Sequence, residues 1–231
     1  NNSPTVQDPF NTTFAWGYPY IASSLAPSPA ASPVLAGAFA GNTIGYTAYL
    51  WYDRSLYLEA GLYQTMSPWL MTRLGSAYGP GAAAGVMPYL RGAYQWDWNA
   101  QTAHVGAIFM QADVNPAVAD RMADGSMGRD HYTDYAVDAA YSYLGDGTHT
   151  VTLQGIYTHE VQNLAGTTAA ANAANGTGFG AHYQLNLAKV DVSYWYHHTY
   201  GMTLGWQNVW GNANPVLYQP GPVSGSNNAK P

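Results

Sequence analysis

The chain has 231 residues, no cysteine and a formal net charge of −6, and only 9% of its residues are charged, against about 25% in soluble domains. The missing cysteines exclude disulfides, thiolate metal sites and covalent c-type haem attachment within these residues, and an acidic balance without a basic stripe gives no support to nucleic-acid binding. Apolar residues make up 47% yet mean hydropathy is −0.20, so apolar and polar residues are closely interleaved, and no apolar run nears the ~18 residues of a membrane helix.

Residues 1–41 are rich in Pro, Ser, Ala and Asn and read as a long irregular loop. Phe10, Phe14, Trp16, Tyr18 and Tyr20 argue for order there, because disordered segments are poor in aromatics. Asn42 to Met66 reads as two strands joined by a tight turn at Asp53, Arg54 and Ser55. In its second arm Leu56, Leu58, Ala60 and Leu62 share one face and Tyr57, Glu59, Gly61 and Tyr63 the other, a period of two. Each arm is about 11 residues long, close to the 9–11 that a tilted strand needs to cross a bilayer core.

The same hairpin design recurs three times. A Gly/Pro/Ala stretch, 67–85, leads to strands over 87–98 and 102–113 with a short turn at 99–101. A polar loop, 114–131, leads to strands over 132–144 and 149–161. Between them, Gly145-Asp146-Gly147-Thr148 is the strongest turn signal, since Asp-Gly supplies the positive φ angles of a type I′ turn. A low-complexity loop, 162–178, leads to the last pair, 183–197 and 201–211, and a loop-like tail, 212–231. Within 183–197 the apolar residues change parity near Ala188: Tyr183, Leu185 and Leu187 are odd, Val190, Val192, Tyr194 and Tyr196 even. A bulge or a tight turn is expected there.

Two regularities set the fold class. Short connections alternate with long ones, as the periplasmic turns and extracellular loops of outer-membrane barrels do. The charged strand residues Glu59, Arg91, Asp97, Asp138, Glu160, Lys189 and Asp191 fall opposite the apolar faces, which carry Leu, Val, Tyr and Trp where a soluble sandwich would carry Lys and Glu. The expected fold is an all-β, antiparallel up-and-down transmembrane β-barrel. Leu56, Leu58, Leu62, Tyr94, Val137, Tyr141, Val192 and Tyr194 should face lipid, and the seven charged residues should line the lumen. Residues 1–41 and the loop 114–131 should lie on one side, the turns 53–55 and 145–148 on the other. With short turns periplasmic, both chain ends are extracellular. With no signal peptide, no initial Met and no final aromatic-ending strand, the chain reads as eight strands from the middle of a larger barrel.

The stretches NNSPTVQDPFNTTFAWGYPY, SSLAPSPAASPVLAG and LNLAKVDVSYWYHHTYGMTLGW resemble the central part of a family of Gram-negative outer-membrane proteins labelled cytochrome c, over nearly the whole chain. The resemblance implies a porin-like barrel preceded by a CxxCH haem-attachment motif, as in fused cytochrome–porins of extracellular electron transfer. It implies c-type haem on an upstream segment, redox partners on either side of the outer membrane, and one continuous strand around Leu185 to Tyr196, which favours a bulge. The motif is absent here, so no haem-ligating residue carries over.

No catalytic constellation emerges. His197 and His198 are adjacent and cannot share one ion on a strand, and His104, His159 and His182 lack ligand spacing. The Asp-rich segment Asp113, Asp120, Asp124, Asp130 and Asp134 lacks the DxDxDG order of a calcium loop. Ser126 and His131 lack a GxSxG context, the Gly-rich stretch 79–85 lacks a phosphate-cradle pattern, and no spacing selects a carboxylate pair for glycoside hydrolysis. The functional expectation is an outer-membrane barrel of a cytochrome–porin-like protein that houses an electron or solute path. The rivals are a diffusion porin and a soluble glycan-binding β-sandwich.

Overall fold

The computed structural model describes residues 31–36, 43–75, 83–115, 128–145, 147–175 and 178–214. Eight strands form: β1 (Thr43–Tyr52), β2 (Leu56–Thr65), β3 (Val86–Trp98), β4 (Gln101–Val114), β5 (Asp130–Tyr143), β6 (His149–Asn163), β7 (His182–Tyr196) and β8 (Tyr200–Gly211). Each pairs antiparallel with its neighbours in sequence, giving one up-and-down sheet in the order β1 to β8. The alternation of side chains that marks these segments fixes their register, because a one-residue slip would put every charged inner residue outside. Among the described residues the sheet is open. β1 and β8 are each paired on one side only, so the expected closed barrel is observed as an open eight-stranded sheet.

The four short connections lie at one end of the sheet and the three long ones at the other, as antiparallel neighbours in sequence order require. Two of the turns are built alike. Asp53 and Arg54, and His197 and His198, all have φ between 48° and 56°, and the next residue returns its N–H to the strand: Ser55 to Tyr52 C=O at 3.1 Å, Thr199 to Tyr196 C=O at 3.0 Å. Asp tolerates the left-handed region; Arg and His do so at about 1–2 kcal/mol each, a cost that the long ladders on both sides offset. The β5–β6 connection differs from expectation. It spans 144–148, with positive φ at Gly145 and Gly147, and is longer than a two-residue type I′ turn; Asp146 lies outside the described residues.

Three other expectations are corrected. The low-complexity stretch 162–178 is mostly helix, α2 (Ala165–Asn175), because its repeated alanines are the best helix formers. The stretch after β2 contains a short helix, α1 (Pro68–Arg73), with Ser67 accepting from the Leu70 N–H at 3.3 Å and proline in the first turn. β7 contains no bulge. Its register with β6 runs unbroken from Asn163↔His182 to His149↔Tyr196, and with β8 from Leu185↔Gly211 to Tyr196↔Tyr200. The parity change in the sequence has another cause. Tyr183, Leu185, Leu187, Lys189, Asp191 and Ser193 all lie on one face, and it is the chemistry of that face that changes along the strand.

The expectations about residues 1–30, about 116–127 of the polar loop and about the tail beyond 214 fall outside the described residues. Residues 31–36 are described and include a 3₁₀ turn, Val34–Ala36, folded against the sheet. Val34 and Leu35 join Tyr63, Met87, Tyr89, Ile108, Met110, Ala112, Val114 and Ala136 in the main buried apolar cluster.

Candidate functional site

Register sorts every strand side chain onto one of two faces. On the outer face the middle of the sheet carries Leu50, Leu58, Leu90, Val105, Val137, Leu153, Val192 and Leu204, all exposed. Aromatic rings flank this band on both sides. Toward the short turns stand Tyr52, Tyr94, Trp96, Trp98, Tyr141, Tyr194 and Tyr200. Toward the long connections stand Tyr46, Phe109, Tyr135, Tyr157 and Trp210. Neighbouring strands bring rings together, Phe109 to Tyr135 at 5.5 Å and Tyr157 to Trp210 at 6.0 Å between centroids. Of the residues expected to face outward, Leu58, Leu62, Tyr94, Val137, Val192 and Tyr194 are exposed on this face, and Leu56 and Tyr141 are half-buried on it. Among the described residues the one carboxylate or cationic strand residue on the outer face is Asp113, at the rim, where His131 directly opposite it makes a 2.6 Å contact.

All other charged strand residues lie on the inner face, which divides into two halves along the strands. The half beneath the long connections is mainly apolar: Tyr63, Met87, Tyr89, Ile108, Met110, Leu185 and Leu187 are buried there. The half toward the short turns is polar: Gln95, Thr102, Thr152, Gln154, Ser193 and Thr203, with the aromatic rings of Tyr49, Trp51 and Trp195 at its flanks.

Between these halves sits an ionic cluster. Arg91 Nη2 donates to Asp138 Oδ1 at 2.9 Å, both side chains being fully buried, and His104 Nε2 lies 3.2 Å from the same oxygen. Glu59 is directly opposite Arg91 in register and accepts from the Tyr57 hydroxyl at 3.0 Å. Arg91 and Asp138 are not on neighbouring strands; β4 runs between them. The guanidinium crosses it at Gly106, where a Cβ would stand 2.7 Å from Asp138 Oδ2 and 3.1 Å from Arg91 Nη2. A glycine here is therefore a requirement of the ion pair, not of the backbone.

Three inner carboxylates have a different task. Asp130 accepts from the Thr167 N–H at 2.9 Å and from its hydroxyl, and so fixes the first turn of α2. Asp134 and Glu160, opposite each other on β5 and β6, accept the Leu35 and Val34 N–H groups, each at 2.6 Å. Gln162 Nε2 also donates to Glu160 at 2.6 Å. These acids satisfy the backbone donors of segments that cover the inner face, which would otherwise be buried without partners.

The seven charged residues named from the sequence thus separate by role. Glu59, Arg91 and Asp138 meet in one cluster, and Glu160 holds a covering segment. Asp97 is exposed near the turn end and accepts from Gln95 Nε2 at 2.8 Å and from Thr102 Oγ1 at 2.8 Å. Lys189 and Asp191 share the inner face of β7, with Asp191 buried and Lys189 half-buried. Sequence reasoning sorted Tyr57 with Glu59 and Asp134 with Asp138 but gave neither a role, and it did not single out His104 or Asp130 for this face. Parity was the available signal: Tyr57, Asp130 and Asp134 each sit an even number of residues from a named inner residue on their own strand, and His104 alternates with the apolar outer positions Ala103 and Val105 of β4. Among the described residues no three His, Asp or Glu side chains group as metal ligands would. Compared with known protein families, curated proteins and solved structures, the chain matches none.

Proposed function

We propose that this sheet is part of a transmembrane β-barrel in the bacterial outer membrane, belonging to a cytochrome–porin-like protein and enclosing a path for electrons or small solutes. The observation that carries the reading is the outer face: an uncharged aliphatic band between two rows of aromatics. Such a surface suits a hydrocarbon layer bounded by two interfaces, where Tyr and Trp place a ring in the apolar phase and a polar tip in the wet one. Along β5 the rows at Tyr135 and Tyr141 are about 20 Å apart at ~3.4 Å per residue, less when tilted, against the ~25 Å band of outer-membrane barrels. The open edges at β1 and β8 agree with a sheet that continues, because long unpaired edges are an aggregation hazard that closure removes. A soluble sandwich would need a second sheet over one face, and the described residues form one sheet. The cytochrome link comes from the resemblance alone, and absorbance of c-type haem in the full-length protein tests it.

The barrel reading has its own test. The protein should require detergent for solubility, and its folded form should migrate differently from the heated form on a denaturing gel. Solubility in plain buffer as a monomer would sink it. If the path carries ions, Lys189 is the side chain to probe. Arg91 is locked in a buried ion pair, whereas Lys189 is half-buried on the same face. Lys189→Glu is expected to move the reversal potential toward cation selectivity in a planar bilayer, because the charge inside a narrow pore filters its permeants. An unchanged potential in the folded variant would remove Lys189 from the conduction path.

A further inference from the structure

We propose that residues 31–36 are a gating strap of the inner path, held closed by the facing carboxylates Asp134 and Glu160; this rests on the barrel reading above. The strap lies over the apolar half of the inner face, with Val34 and Leu35 buried in the cluster that includes Tyr63 and Met110. Its described polar contacts with the sheet are two, the Val34 N–H to Glu160 and the Leu35 N–H to Asp134; the Ala36 N–H bonds back to Pro33 within the strap itself. Few bonds and two apolar side chains make a segment that can leave as a unit, in contrast to the strands, which are fixed along their whole length.

The anchor is unusual for a fixed structural element. Asp134 and Glu160 are exact cross-strand partners, and like charges placed directly opposite one another repel. Among the described residues no Lys, Arg or His side chain pairs with either. The repulsion is relieved by a hydrogen bond between the two carboxyls, by Gln162 Nε2 on Glu160, and by the strap's two N–H bonds, which are charge-assisted and so stronger than neutral ones. With the strap out, water in the path would solvate both acids. The carboxyl pair therefore has two arrangements, amide-bound with the path covered and water-bound with the path open, which is the two-state element that gating needs.

The experiment uses the full-length protein with Val34→Cys as a reporter. In the otherwise unaltered protein this buried thiol should react slowly with a hydrophilic maleimide. Asp134→Ala with Glu160→Ala should speed labelling at least tenfold and raise mean conductance in planar bilayers at least twofold. Leu35→Glu acts on the strap and leaves the strands intact. It should give the same two changes, by placing a carboxylate in the apolar cluster that Leu35 fills, so a folding defect of the strand variant cannot stand in for the result. Either folded variant labelling no faster than the parent would overturn the anchor. Faster labelling with unchanged conductance, in protein that stays embedded in membrane, would overturn the gate and leave the barrel reading intact. A parent protein that needs no detergent would overturn the barrel and the gate together.

Discussion

Arg91→Met is expected to cost about 3–5 kcal/mol of folding stability, the range for removing one partner of a buried ion pair. The Asp138 side chain is fully buried against Arg91, and its carboxylate would be left with His104 at 3.2 Å as its remaining partner in the cluster. Glu59, opposite position 91, would lose the neighbouring positive charge as well. Methionine fills the volume of the arginine stem, so the loss isolates charge from packing. The second arm decides the interpretation. Arg91→Met combined with Asp138→Leu should recover most of the loss, because an apolar pair of similar volume avoids the desolvation of both ions. Urea unfolding of the protein in lipid vesicles reads both. A single variant within about 1 kcal/mol of the parent would mean that water reaches the cluster and screens it, against the observed burial.

The alternation of faces was legible in the sequence because a strand writes its environment at period two. Leu58 against Glu59, or Val137 against Asp138, needs no tertiary information to sort. The roles of the inner residues were not legible in that way. Parity says that Asp134 and Glu160 point inward, but their partners are the backbone N–H groups of residues 34 and 35, about a hundred positions away, and backbone donors leave no trace in a side-chain pattern. The Arg91–Asp138 pair skips a strand, and Gly106 gives no hint of that by itself. β7 misled for a related reason. A strand whose inner face passes from an apolar, covered region at Leu185 and Leu187 to a polar one at Asp191 and Ser193 looks like a strand that has slipped by one, although its register is unbroken. Alanine-rich α2 was hidden by low complexity, which sequence reading takes for a loop and propensity takes for a helix.

Val137→Arg is expected to lower the stability of the membrane-inserted protein by about 2–4 kcal/mol, and Ala140→Arg on the same strand by much less. Val137 stands exposed in the outer band, between the aromatic levels of Tyr135 and Tyr141. In hydrocarbon a guanidinium there has no counter-ion: the outer-face neighbours across the ladder are Ala107 on β4 and Tyr157 on β6. The side chain could reach an interface only by extending past one of the aromatic rows. Ala140 points the other way, opposite His104 and two residues from Asp138, where an added cation meets acid and polar side chains. The difference between the two variants, more than either value, separates the two environments, since the strand and the added charge are matched. A soluble protein would reverse the order. Its exposed Val137 would accept arginine within about 0.5 kcal/mol, as surface sites do, while the half-buried Ala140 would not. Equal losses at the two sites, measured by unfolding in vesicles, would therefore remove lipid as the solvent of the outer face.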